Sequence, residues 1–177
     1  SAEKGYKLLI KENSIVNNLF ASLGLIYLKT NRAKTALKFF NKELMINPLN
    51  PVALNNLGVI NLDLKNYRIA KNYFLKALKI SSNAKTLYFL GLILTELEDF
   101  DKAIEFYNKS ILMKKNADAL CNIGYLYYFL GSLDKAKKNI LDAIKINPKH
   151  DEAYNNLGLI NMAYGNFIDA KQNFLYA

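Results

Sequence analysis

The chain carries one cysteine, one histidine and three prolines in 177 residues. None of its apolar runs approaches the ~18 residues that suggest a membrane span. A lone Cys121 excludes an internal disulfide and makes a reducing compartment, the cytoplasm, the default. The opening stretch from Ser1 to Ile10 is charged and too short in apolar run for a secretory signal. The chain is expected to begin inside an element, however, so a lost leader stays compatible with it. His150 follows Pro148 and Lys149 in a turn, where a solvent-exposed loop residue is expected rather than a ligand. Cys121 has no base evident in the sequence, and neither a phosphate loop nor a metal-ligand cluster is visible. These scarcities argue against an enzyme and give no reason to expect a cofactor.

What the chain has in excess is positive charge, +9 overall with a pI near 9.4. Such a balance raises nucleic acid or a membrane surface as partners until the charges are placed.

Self-similarity places them. Gly24, Gly58, Gly91, Gly124 and Gly158 recur at intervals of 34, 33, 33 and 34 residues. Around them one frame returns: Phe20-x-x-Leu23-Gly24-x-x-Tyr27, Leu54-x-x-Leu57-Gly58, Leu87-x-x-Leu90-Gly91, Leu120-x-x-Ile123-Gly124-x-x-Tyr127 and Tyr154-x-x-Leu157-Gly158. Twelve residues beyond each glycine stands Ala36, Ala70, Ala103, Ala136 or Ala170, followed four later by Phe40, Phe74, Tyr107, Ile140 or Phe174. Large residues at i, i+3 and i+7 make one apolar helix stripe, and Gly with Ala at the crossing lets two helices approach closely.

Five such units in register resemble the tetratricopeptide repeat over nearly the whole chain. The resemblance implies an all-α, right-handed solenoid of helix-turn-helix repeats. Residues 17–50, 51–83, 84–116 and 117–150 are expected to form full repeats and 151–177 a truncated one, with 1–16 the second helix of a preceding unit. First helices are expected at Asn17–Thr30, Pro51–Leu64, Ala84–Leu97, Ala117–Leu130 and Asp151–Tyr164. Second helices follow at Ala33–Ile46, Tyr67–Ile80, Phe100–Met113, Leu133–Ile146 and from Phe167 onward. Ser82 and Lys115 replace the proline seen at Pro48 and Pro148, and those two repeats are one residue short, so altered stacking is expected there. The last half-hairpin, with Phe167, Phe174, Leu175 and Tyr176, is expected to present an uncapped apolar end.

In this family first helices line a concave groove and second helices form the convex back. The groove positions expected from the resemblance include Ala21, Cys121 and the residues two before each glycine. Of the 24 Lys and Arg residues only Lys29 and Lys85 fall on them, beside Asp63, Glu96, Asp118 and Glu152. The basic excess belongs to second helices and turns, where a charge run is usually a solvated face. A groove this poor in cations argues against nucleic acid as the partner.

Tyr88, Phe89, Tyr125, Tyr128 and Phe129 form an aromatic patch at helical spacing, open to two readings, binding surface or inter-repeat core. Tyr125 and Phe129 are the best placed for the groove. Asn56, Asn122 and Asn156 repeat two residues before their glycines, with Asn155 alongside. They are similar to the asparagine ladders with which the superhelices of protein O-linked sugar transferases hold a peptide backbone, though Ser22 and Phe89 interrupt the series. The carboxylate clamp of some chaperone-binding members finds only Asn56 and Lys85 in place and is not expected. The resemblance therefore implies a scaffold or adaptor that binds a peptide or protein segment. Homo-oligomerisation through the array's ends is the alternative, and an anionic partner such as nucleic acid on the basic convex face a further one.

Overall fold

The computed structural model describes residues 18–177, so the helix expected at 1–16 and the Asn17 start lie outside the described residues. Ten helices follow: α1 (Leu19–Lys29), α2 (Ala33–Ile46), α3 (Pro51–Asp63), α4 (Tyr67–Ile80), α5 (Ala84–Glu96), α6 (Phe100–Met113), α7 (Ala117–Phe129), α8 (Leu133–Ile146), α9 (Asp151–Ala163) and α10 (Phe167–Tyr176). The fold class is the expected one, all-α and built of helix hairpins. Each first helix stops one residue earlier than expected, for a reason found in the turns.

Every first helix ends in the same Schellman turn. After α3, Lys65 N–H bonds the Leu62 carbonyl (2.8 Å) and Asn66 N–H reaches back to Asn61 (2.8 Å). That geometry puts Asn31, Lys65, Glu98, Gly131 and Gly165 in the left-handed region, at φ between 57° and 77°. Gly131 and Gly165 occupy it without strain, whereas Lys65 and Glu98 carry a Cβ against the following carbonyl, at roughly 1 kcal/mol each. Lys65→Gly is accordingly expected to raise stability by about 0.5–1 kcal/mol, read as a higher urea midpoint with unchanged slope.

The chain divides into two compact units at Ser82 and Asn83. In the first, Tyr27, Ala36, Phe40, Ala53, Leu57 and Ile60 form the core, with Phe39 stacked on Tyr27 at 5.1 Å. In the second, Leu94, Ala103, Tyr107, Ala119, Ile123 and Leu126 pack as one cluster, and Ala136, Ile140, Ala143, Ala153, Leu157 and Ile160 belong to another with Cys121. Within each unit a second helix thus packs both on its own first helix and on the next one.

The glycine in each frame has a steric reason. A Cβ on Gly91 would lie 2.5 Å from the Tyr107 ring, and one on Gly124 would lie 2.5 Å from Ile140 Cδ1.

First-helix starts differ with linker length. After the full-length linkers, Asn50 and His150 are buried caps. Asn50 Oδ1 accepts from Ala53 N–H (3.0 Å), and its Nδ2 donates to Glu43 Oε1 (2.9 Å) and Asn18 Oδ1 (2.5 Å). His150 repeats the plan: Nδ1 accepts from Ala153 N–H (3.3 Å), which leaves the proton on Nε2 to donate to Asp118 Oδ1 (3.1 Å). His150 is only 8% exposed, so the expectation of an exposed loop residue is corrected: it is the cap of α9 and ties that helix to α7. The short linker before α7 lacks such a buried cap. Asn116 caps α7 without being buried, and a cleft of about 380 Å³ opens among Ala84, Tyr88, Ser110, Lys114 and Asn116.

Candidate functional site

α5, α7 and α9 are the first helices of the second unit, and their outward stripes make up the candidate site. On α7 the stripe is Asp118, Asn122, Tyr125 and Phe129, at i, i+4, i+7 and i+11. α5 contributes Lys85 and Phe89, and α9 contributes Glu152 and Leu159 at equivalent repeat positions, with Asn155 at the position of Cys121.

The aromatic patch is split by packing. Tyr88 lies half-buried against the core, its ring 5.8 Å from Tyr107, and Tyr128 packs on the cluster around Cys121. These two serve the inter-repeat core. Tyr125 is 43% exposed and Phe129 64% exposed, the latter held edge-on to Phe100 at 5.4 Å. Phe89 is half-buried beside Tyr88, with Lys85 Nζ 5.5 Å from its ring centre.

The asparagines are engaged within the chain. Asn56, in the first unit, donates to Val52 O (2.7 Å) on its own helix. Asn122 is half-buried near the Tyr88 and Tyr107 hydroxyls, whose pKa it lowers against the effect of burial. Asn156 is buried, donating to Cys121 Sγ at 3.3 Å, and only its neighbour Asn155 is exposed. Ala21 and Cys121 are buried as well. Placing Ala21, Cys121 and Asn156 on the solvent side is therefore corrected. For the latter two the cause is close contact between α7 and α9, which the small Ala117 and Cys121 side chains permit. No continuous ladder of outward carboxamides results.

First helices are poor in cations in a basic chain: α1 and α5 hold one lysine each, and α3, α7 and α9 none. α7 and α9 contain no lysine or arginine, whereas α8 between them holds Lys135, Lys137, Lys138 and Lys145. Burial, with Glu152 and Asp118 adding to it, pushes the Cys121 thiol up to about 12, so it stays protonated and unreactive at neutral pH. Burial and Asp118 also raise the Tyr88 hydroxyl, as does Glu152. Both carboxylates therefore act on the same region of the α5–α7–α9 face.

The sequence did not point to Glu43. Its carboxylate is buried on α2 and accepts from Ala21 N–H (3.1 Å) as well as from Asn50. Its signal was a charged residue where other repeats have Ala77, Ser110 or Ala143. No described helix is long and apolar enough to cross a membrane. Among the described residues no group of three or more His, Cys, Asp or Glu is placed to hold a metal ion.

Known proteins share this architecture. Tetratricopeptide-repeat family models match residues 49–116 and 117–150, together more than half the chain. The crystal structure of YrrB, described as a tetratricopeptide protein with an unusual peptide-binding site, superposes with a TM-score of 0.82 at 22% identity, over 98% of this chain and 91% of that one. MamA from Desulfovibrio magneticus RS-1 does so at 0.81 and 19% identity, over 90% and 91%. A curated relative, the uncharacterized protein ycf37 of Pyropia yezoensis, is 36% identical over 78 residues, 44% of each chain. The chain thus matches less than half the length of that relative. Arrays of this fold are in general protein-interaction scaffolds. With the repeat frame, the helix hairpins and the family matches in agreement, the chain belongs to the tetratricopeptide-repeat family.

Proposed function

We propose that the chain is an adaptor that holds a peptide or protein segment along the outward face of α5, α7 and α9. The carrying observation is the pair Tyr125 and Phe129, large rings left exposed on a stripe where Tyr88 and Tyr128 are packed inward. Tyrosine and phenylalanine on a rigid helix lose little conformational entropy on binding, which suits them as anchors. Asn155 and Lys85 flank them with polar groups.

The test is capture from a lysate of the source cell on immobilised wild type and Tyr125→Ala/Phe129→Ala, each checked for its helical circular dichroism. Both rings being exposed, folding should survive, while partners bound through the face are depleted at least tenfold. An identical set of captured proteins would overturn the assignment.

A further inference from the structure

We infer that the segment held on this face is basic, a stretch of a partner protein that sets a Lys or Arg between Asp118 and Glu152 and an apolar side chain against Tyr125 and Phe129. The inference rests on the adaptor function proposed above and adds the chemistry of the partner.

Charge distribution carries it. The chain has 24 Lys and Arg against 15 Asp and Glu, yet α7 and α9 hold no cation at all. Their carboxylates sit near helix N-termini, where acids are ordinarily favoured. That preference accounts for Asp118, Asp151 and Glu152; the lack of lysine is shared with α3, so it is the exposed carboxylates of α7 and α9 that mark this face. Asp118 is 64% exposed and its visible partner is His150 Nε2. No lysine or arginine among the described residues pairs with it. Glu152 is exposed and forms no ion pair with a described residue. Both carboxylates act on Cys121, buried where α7 meets α9, and on half-buried Tyr88 of α5.

Tyr125, two helical turns beyond Asp118 on the same stripe, offers an exposed ring. Cations rest on rings elsewhere in the chain, as Lys135 does on Tyr127 at 5.4 Å and Lys137 on Tyr164 at 5.6 Å. Carboxylates beside exposed rings therefore complement a segment that alternates cationic and apolar side chains. An acidic segment would meet Asp118 and Glu152 with like charge and be rejected.

The test is selection of random dodecapeptides displayed on phage against the wild-type chain. Each enriched peptide is then titrated against wild type, Asp118→Asn/Glu152→Gln and Tyr125→Ala/Phe129→Ala. Asparagine keeps an acceptor for His150, so the cap of α9 survives the neutralisation. Enriched peptides should carry Lys or Arg beside an apolar residue and weaken about 3–10-fold with the neutralised pair. Their affinity should fall with salt in the wild type and much less in that variant. Neutral or acidic winners that still depend on Tyr125 and Phe129 would overturn the basic partner and leave the adaptor standing. Winners indifferent to both variants, or none, would overturn both. A wild-type chain that self-associates and becomes monomeric on neutralisation would reassign the occupant to a second copy and so overturn the inference as well.

Discussion

Glu43→Ala is expected to lower stability by about 2–4 kcal/mol, read from urea unfolding followed by circular dichroism. Asn18 precedes α1 at the cap position, stands at φ 65° and makes no side-chain cap. Glu43 on α2 supplies the missing acceptor from across the hairpin, taking Ala21 N–H at 3.1 Å. Its other oxygen takes Asn50 Nδ2 at 2.9 Å, and Asn50 in turn caps α3. Alanine strands two buried donors, each costing about 1–3 kcal/mol. Glu43→Gln should lose roughly half as much, because its carbonyl can keep Ala21 N–H while its amide opposes the Asn50 amide. Asn50 cannot turn over to relieve that opposition without giving up Ala53 N–H. Equal losses for Ala and Gln would show that the carboxylate fills space and does not hold the two caps.

Gly91→Val is expected to cost about 3 kcal/mol, at the upper end of overpacking penalties. The first added carbon already falls 2.5 Å from the Tyr107 ring, and that ring is fully buried, with its hydroxyl 3.3 Å from Thr95 Oγ1. Gly91→Ala should be milder, because alanine returns about 1 kcal/mol of helix propensity against the same contact. Gly131 provides the contrast: a Cβ there meets nothing within 4 Å, and its φ of 74° is the only obstacle. Gly131→Ala should therefore cost only about 1 kcal/mol. A Gly91→Val protein as stable as wild type would mean that the hairpin can open at that crossing without loss.

The fold was legible because the residues that build it repeat. The glycine of Gly24, the alanine of Ala36 and a large apolar residue at the position of Phe40 recur five times in register, so one hairpin's steric logic identified all the others. Helix ends were off by one residue because Thr30, Leu64, Leu97, Leu130 and Tyr164 are the C-caps of Schellman turns and lie just outside their helices. The face was legible in part. Helical spacing gathered Tyr88, Tyr125, Tyr128 and Phe129, but which rings turn inward depends on Tyr107 and on the cluster around Cys121. Asn156 looked like a ladder member until α7, small at Ala117 and Cys121, closed over it. His150 was misread because its role is tertiary, a bond to Asp118 on the helix 32 residues earlier.

The most direct measurement places a photoreactive phenylalanine analogue in place of Phe129 and, separately, in place of Leu112, which is 86% exposed on the second helix α6. With a captured partner or a selected peptide present, irradiation should link that molecule to the chain from position 129 and not from 112. Cross-links from 112 alone, or equally from both, would contradict a first-helix binding face.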